Sequence, residues 1–552
     1  MYVSRDIMKK QGFIEGTMVG TIATIICKVL GLLYVIPFRA IVGAQGGALY
    51  GYGYNIYMVF LSLATSGIPI AMSKIISEYN AMEMHYAKNR AYKLGSRLIV
   101  GLGFISFLIV FIFARNLAYM IIGDNLGGNT IEGVTLVIRV VSTALLIVPI
   151  QSVKKGYLQG HKYMTVPQGA NVIEQLVRVI VIIFGSYITY NVLNKSLELS
   201  VSVAIFGATL GAIVSYSFIC YMINKNKKSF NIDAKITQEE KGLTDKIIFK
   251  KIVLYALPFI LIDLIKSAYN TIDMFTIVRT LTRMGFDINL AEEVLADLTT
   301  WGSKLNMIVT SLVVGLSAAL VPNIMSSFVK KDYKDVNRKI NQSLEILIIS
   351  AIPLTLGLSF LSDAVWTVFY GADPLGATIF KVQIFTALTL IFHSVLIDAT
   401  QTLNDSFMSI GMLLLSFILK CILNIPSMYL FKTMGLDPYY GTVAVTILTQ
   451  GMVIVILLYN LYKKFNVNYK KSFNVLWKTI VANMIMCAIL CILKIFIPFD
   501  GLNRGLSLVM IIIYGFVGAF IYLIATIKLH VYDDIFSERL RKNIMSKLHI
   551  KG

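Results

Sequence analysis

Residues 261–275 read LIDLIKSAYNTIDMF, and this stretch sets Asp263, Lys266, Asn270 and Asp273 inside a long apolar run. Each ionised group at the centre of a bilayer costs roughly 2.5–3.5 kcal/mol on insertion scales. The spacing accounts for their tolerance. At about 100° per residue the four side chains fall near 0°, 300°, 340° and 280°, a stripe about 80° wide. Lipid would leave such groups unpaired, so the stripe must face protein or water. The segment therefore reads as a membrane helix with one wetted face.

The rest of the chain fits that reading. Of 552 residues, 57% are hydrophobic and 14% charged, and the mean hydropathy is +0.73. So few polar residues could not cover the exterior of a soluble domain this large. Apolar runs of about 20 residues, long enough to cross ~30 Å of hydrocarbon, recur throughout. Fourteen spans are expected: 14–41, 46–74, 96–122, 132–153, 164–190, 199–223, 249–280, 299–327, 341–368, 376–401, 407–431, 438–460, 474–497 and 505–528. The first is expected to be a true span, because no small-residue cleavage pattern follows it and another span begins at once.

Charge alternates between successive turns. Arg5, Lys9 and Lys10 precede span one; Lys88, Arg90, Lys93 and Arg97 follow span two; Lys154, Lys155 and Lys162 follow span four. The turn 224–251 is lysine-rich, with Lys225, Lys227, Lys228 and Lys235 among others. Lys330, Lys331, Lys334, Arg338 and Lys339 follow span eight, and Lys463, Lys464, Lys470 and Lys471 follow span twelve. The tail carries Arg539, Arg541, Lys542, Lys547 and Lys551. The opposite turns are neutral or acidic, as in Asp287, Glu292, Glu293 and Asp297 after span seven; Asp405 after span ten breaks the pattern. Cytoplasmic loops collect Lys and Arg, so both termini are expected in the cytoplasm. The net charge of +20 then reports topology rather than nucleic-acid binding, and it also suits anionic headgroups.

The chain looks doubled. GIPIAMSKIISEY (67–79) and GLSAALVPNIMSS (315–327) each end a span and lead into a basic turn, while YLQGHKYMTVP (157–167) and TLNDSFMSIGM (402–412) each bridge a span pair. The expected fold is all-α and polytopic: about fourteen transmembrane helices, in two parallel-repeat six-helix lobes around a central cavity plus two C-terminal helices. The lobes are expected over 1–223 and 252–463, joined by a basic cytoplasmic linker at 224–251, with 464–552 holding the last two helices and the tail. The five cysteines all fall inside spans, which argues against a disulfide framework or a zinc site. No Walker loop, nucleophile elbow or HExxH sequence occurs, so transport is expected rather than catalysis.

Further polar faces mark the cavity. Asn171, Glu174 and Arg178 share one face of span five, where an internal Glu174–Arg178 bridge is the plain reading. Lys28 and Arg39 of span one lie on nearly the same side, and span two aligns Asn55, Ser62, Ser66 and Ser73. Lys304 stands in span eight, while Arg139 and Lys420 add cations to spans four and eleven. Lys28, Arg39 and Lys304 have no carboxylate nearby in sequence, so each is a candidate cation for an anionic ligand. Asp263 and Lys266, three apart, either pair with each other or serve the cavity.

Three segments carry a resemblance: KVLGLLYVIPFRAIVGAQGGALYGYGY (28–54), SLATSGIPIAMSKIISEYNA (62–81) and KGYLQGHKYMTVPQGANVIEQLVRV (155–179). They are similar to the oligosaccharidyl-lipid flippases of the MOP superfamily, in the YtgP/SpoVB group that includes MurJ-type lipid II flippases. The resemblance implies alternating access and an undecaprenyl-diphosphate-linked sugar precursor as substrate, most plainly lipid II for peptidoglycan synthesis. In CKVLG, Lys28 takes the place of a motif arginine; Tyr34 stands where a second would fall, with Arg39 five residues on. WGSK supplies Trp301 and Lys304 where the family pattern has Trp and Arg. Lys28, Arg39, Lys304, Asn55, Glu174, Arg178 and Lys266 are thus the candidate substrate-binding set. Asp273, Asn404 and Asp405 are a candidate site for a monovalent coupling cation, Na+ or H+, and no resident cofactor is expected. A monomer in the cell membrane is the expected functional unit, with membrane lipids as partners. The alternatives are a flippase for another lipid-linked glycan (teichoic acid, capsule or spore cortex) and a cation-coupled multidrug exporter, whose cavity would be acidic or aromatic rather than cationic.

Overall fold

A computed structural model describes residues 13–123, 128–226, 230 and 239–531. The basic N-terminus with Arg5, Lys9 and Lys10, the turn residues Lys227, Lys228 and Lys235, and the tail cations from Arg539 onward lie outside the described residues. Everything with regular structure among the described residues is helical. Among the described residues eleven helices are long and apolar enough to cross a membrane, so the chain is a multi-pass membrane protein. Large apolar side chains on their outer faces are open, including Phe184, Ile495, Phe496 and Phe516, as lipid-facing surface requires.

The first helices show how the sequence sets the element ends. α1 (Phe13–Leu33) runs into α2 (Val35–Thr65) through Tyr34, which keeps a helical backbone. α2 is then broken at Gly43, whose φ of 66° is left-handed and open to glycine at little cost. The expected spans 14–41 and 46–74 therefore meet at this glycine. α3 (Gly67–Ala81), α4 (His85–Ile112), α5 (Ala114–Ile122), α6 (Ile131–Ser142), α7 (Ala144–Gly160), α8 (Thr165–Ile180) and α9 (Leu197–Lys225) follow. α8 continues through two π-helical turns, Val181–Gly185 and Ile188–Val192. α10 (Asp245–Arg283) carries the stretch quoted first, and α11 (Ile288–Leu295) leads through a π turn, Ala296–Trp301, into α12 (Gly302–Val329).

The remaining helices are α13 (Tyr333–Phe360), α14 (Ser362–Tyr370), α15 (Pro374–Thr402), α16 (Ser406–Thr433), α17 (Tyr439–Phe465), α18 (Lys470–Phe496) and α19 (Arg504–Lys528). Many start on a side-chain cap that accepts a hydrogen bond from the first helical turn: Thr130 for α6, Ser196 for α9, Thr244 for α10, Asp287 for α11, Asp332 for α13, Asp373 for α15 and Asn503 for α19. Several expected spans are divided, among them 46–74 at Ser66 between α2 and α3 and 132–153 at Thr143 between α6 and α7. The span expected over 96–122 breaks at Phe113, because α5 exposes Arg115 and Asn116 while burying Ala114, Ala118, Ile121 and Ile122. The span expected over 341–368 likewise divides at Leu361 between α13 and α14.

Packing groups the chain into two units, residues 1–301 with 413–442, and residues 302–412 with 443–552. In the first, α10 packs on α2, α3 and α4, and α9 packs on α8, α7 and α6. Glycines let backbones close up here: a Cβ on Gly67 would lie 2.1 Å from the Ala256 carbonyl oxygen of α10. In the second, α12 packs on α15 and α13, and α18 packs on α13 and α19.

Candidate functional site

The first unit contains a polar interior built on α8. The Lys155 ammonium of α7 donates to Asn171 Oδ1 at 2.6 Å and reaches Glu174 Oε2 at 3.2 Å. Gln151, one turn earlier on α7, donates to Glu174 Oε2 at 2.9 Å and also meets Ser215 of α9, whose hydroxyl donates to the Ala170 carbonyl. Asn171 in turn donates to Gln168. The carboxylate of Glu174 is thus answered by Lys155 across the helix pair, and not by Arg178 four residues further along α8. Arg178 points to the tyrosines of α2 instead: Tyr57 is its hydrogen-bonding neighbour, with Tyr50 and Tyr54 close by. Its Nε has no hydrogen-bond partner among the described residues. A guanidinium placed among phenol hydroxyls, with one donor unspent, is a group that an incoming anion can claim.

The other candidate cations separate into tied and untied. Arg39 is buried; its Nη1 lies 3.2 Å from Asp297 Oδ1, and the guanidinium carbon is 5.7 Å from the Trp301 ring centre. Asp297 is fully buried, so this is an interior ion pair capped by an indole. Arg39 has no carboxylate near it in sequence, and the acidic turn after α10 supplies one from 258 residues away. Lys28 is half-exposed on α1 and has no ion pair or hydrogen bond among the described residues. Asn55 is half-buried on α2. Asp263 and Lys266 form no ion pair with each other among the described residues, and with Asn270 they leave the α10 stripe partly open. Lys304 is half-buried in the first turns of α12, in the second unit.

The C-terminal end of that stripe is closed. Asp273 Oδ2 lies 2.7 Å from Lys420 Nζ, and Asn424 donates to Asp273 Oδ1 at 3.1 Å and to Thr276 Oγ1 at 2.7 Å. The ammonium also sits 4.4 Å from the Tyr269 ring centre and is almost wholly buried. Asp405 accepts from Asn460 at 3.2 Å and from Lys464 at 2.8 Å, and Asn404 takes a left-handed turn conformation with φ of 61°. Asp273 and Asp405 thus each have a lysine of their own unit, so each carboxylate meets a tethered cation.

A second buried carboxylate stands outside the spans. Glu292 of α11 accepts from the backbone and side-chain amides of Asn129 at 3.0 and 2.9 Å, and from the Tyr52 hydroxyl at 3.2 Å. Burial pushes its pKa up to about 7, against the downward pull of the Asn129 and Tyr52 hydrogen bonds.

Residues 13–329 match the polysaccharide biosynthesis protein family. The chain belongs to that family. It is 32% identical over 544 residues to the lipid II flippase MurJ of Bacillus subtilis strain 168, covering 96% of this chain and 97% of that protein. Stage V sporulation protein B of the same organism is 24% identical over 457 residues, covering 82% and 83%. Among solved structures, the lipid II flippase MurJ in an inward closed conformation aligns with a TM-score of 0.63 at 15% identity, covering 92% of this chain and 98% of that one. An inward-facing multidrug resistance MATE transporter of the MOP superfamily aligns with a TM-score of 0.62 at 16% identity, covering 79% and 95%. The all-α polytopic fold and the resemblance to MurJ-type lipid II flippases are both borne out.

Within this polysaccharide biosynthesis family member, several polar groups were not assigned to the site by sequence reading. Lys155 stands in sequence as one of several turn cations, and the tyrosines of LYGYGYNIY (49–57) are given no role by spacing alone. Their repetition at every second or third position of a glycine-rich helix was the available signal. Lys420 and Asn424, one turn apart on α16, were visible as polar residues in an apolar span, but nothing near them in sequence named Asp273.

Proposed function

We propose that this chain is a flippase that carries an undecaprenyl-diphosphate-linked sugar precursor, lipid II for peptidoglycan synthesis, from the inner to the outer leaflet. The observation that carries the reading is the full-length kinship with the lipid II flippase MurJ of Bacillus subtilis. The site chemistry supports it. A diphosphate needs cations not already neutralised, and Lys28 and the unspent Nε of Arg178 are such groups in the first unit. Tyr50, Tyr54 and Tyr57 beside Arg178 offer hydroxyl donors and ring faces for the sugar. Lys304 is the cation that the family motif adds on α12. The polyprenyl tail stays in lipid throughout, and the headgroup crosses by alternating access; no bond is made or broken, so the chain acts as a carrier rather than an enzyme.

The charge alternation supports placing both termini in the cytoplasm of a cell-membrane protein, and a monomer suffices for this cycle. Because Lys420 already balances Asp273, the membrane potential is the favoured driver over a cation bound at Asp273. One elementary charge moved through 100 mV is worth about 2.3 kcal/mol, a bias of roughly fifty-fold. A sporulation or other lipid-linked glycan is the second reading, favoured by the kinship with stage V sporulation protein B. Binding tests both. Purified protein in nanodiscs should retain lipid II over undecaprenyl monophosphate, and Lys28→Gln should weaken retention about tenfold, equivalent to about 1.4 kcal/mol. Equal retention of both lipids, or no effect of Lys28→Gln, would overturn the diphosphate assignment.

A further inference from the structure

The cations in the first turns of α4 are not used uniformly. Lys88 donates to the Phe230 carbonyl at 2.7 Å, and Arg90 is paired with Asp245 and donates to the Leu243 carbonyl, so both serve the interior. Lys93 and Arg97, the next two cations, are exposed and have no ion pair among the described residues. They line a cavity of about 270 Å³ between α4 and α7, together with Lys154 and an apolar floor that includes Ile99, Ile150 and Val153. Among the described residues no carboxylate lines it. Lys154 is held in place by Cys220 Sγ at 3.0 Å and by the Tyr216 ring, with its centre 4.7 Å away. Two like charges one helical turn apart repel, so this arrangement favours a counter-anion.

The cavity leads somewhere. At about 100° per residue, Lys93, Arg97, Val100, Phe104 and Phe111 fall within about 60° of one another on α4. Val100, Phe104 and Phe111 are 43%, 51% and 40% exposed. One face of α4 thus changes from two cations to an open apolar track, as a helix does where it passes from headgroups into hydrocarbon. We infer that this groove is a binding site for an anionic diacyl phospholipid, with Lys93, Arg97 and Lys154 on the phosphodiester and the acyl chains along Val100, Phe104 and Phe111. Charge complementarity and the adjoining lipid-facing track select a lipid over a soluble anion. The site lies apart from the polar interior of α8, and the inference does not rest on the proposed substrate.

Native mass spectrometry of the purified full-length protein tests it, with phosphatidylglycerol and phosphatidylcholine added in separate runs. Phosphatidylglycerol should stay bound while phosphatidylcholine is lost. Lys93→Gln with Arg97→Gln, both exposed positions that leave the fold intact, should lower phosphatidylglycerol occupancy by roughly tenfold. Lys330→Gln with Lys331→Gln removes the same charge elsewhere and should leave occupancy unchanged. Equal retention of both lipids, equal loss in both double variants, or displacement of the lipid by millimolar inorganic phosphate would overturn the assignment.

Discussion

Replacing Lys420 by Met removes a buried ammonium and leaves the Asp273 carboxylate facing only Asn424. Breaking a buried pair by removing one partner costs about 3–5 kcal/mol, since the remaining charge has lost its water and its counter-ion. Asp273 is 19% exposed and keeps the Asn424 hydrogen bond at 3.1 Å, which places the expected cost at the low end, about 3 kcal/mol. Removing both charges, Lys420→Met with Asp273→Leu, should come within about 1 kcal/mol of the parent, because the pair's desolvation cost disappears along with its attraction. Asp273→Leu alone strands the buried Lys420 ammonium at a similar cost of about 3 kcal/mol, so denaturant unfolding of the parent, both single variants and the double variant in nanodiscs should give a coupling of about 5 kcal/mol. A cost for Lys420→Met below about 1 kcal/mol would refute the reasoning, as would strict additivity of the two single changes.

Glu292 predicts a pH dependence. Its pKa is raised from 4.5 to about 7 in the fold, so between those values the folded chain holds a proton that the unfolded chain has released. Stability present below about pH 4.5 is lost as pH rises to about 7, by about 3 kcal/mol at 1.36 kcal/mol per unit. Glu292→Gln keeps the neutral hydrogen-bonding shape toward Asn129 and Tyr52, and should flatten thermal melts between pH 5 and 7.5; an unchanged slope would contradict the assignment. Asp263 and Lys266 are not paired, so Asp263→Asn with Lys266→Gln should leave insertion and melting unchanged while lowering substrate export in cells. Export at the parental rate would show that the open part of the α10 stripe carries no function.

The spans were legible because crossing hydrocarbon demands a run of apolar residues of a set length, and the break between the first two falls at Gly43, within the short gap the hydropathy left between them. The division at Phe113 was marked only by Arg115 and Asn116 within an otherwise apolar stretch, and the burial of one side of α5 reveals it. Polar faces could be read from helical spacing, as on α10 and α8, but not the partners that each face meets. Glu174 and Arg178 stand at ion-pair spacing, yet Lys155 and the α2 tyrosines answer them from neighbouring helices. Asp273 and Lys420 are 147 residues apart, and Arg39 and Asp297 are 258 apart. Such pairs are set by tertiary packing, and a single sequence carries no local mark of them. Glu292 was read only for its charge, because burial by Asn129 and Tyr52 has no sequence signature.

Access of lipid II to an external probe, in cells depleted of their own lipid II flippase and expressing this chain, tests the central claim most directly. The account predicts that labelling of lipid II at the outer surface and growth both return, and that Lys28→Gln lowers the labelling at equal membrane abundance. Lipid II that remains inaccessible while the chain is inserted at full abundance would contradict it.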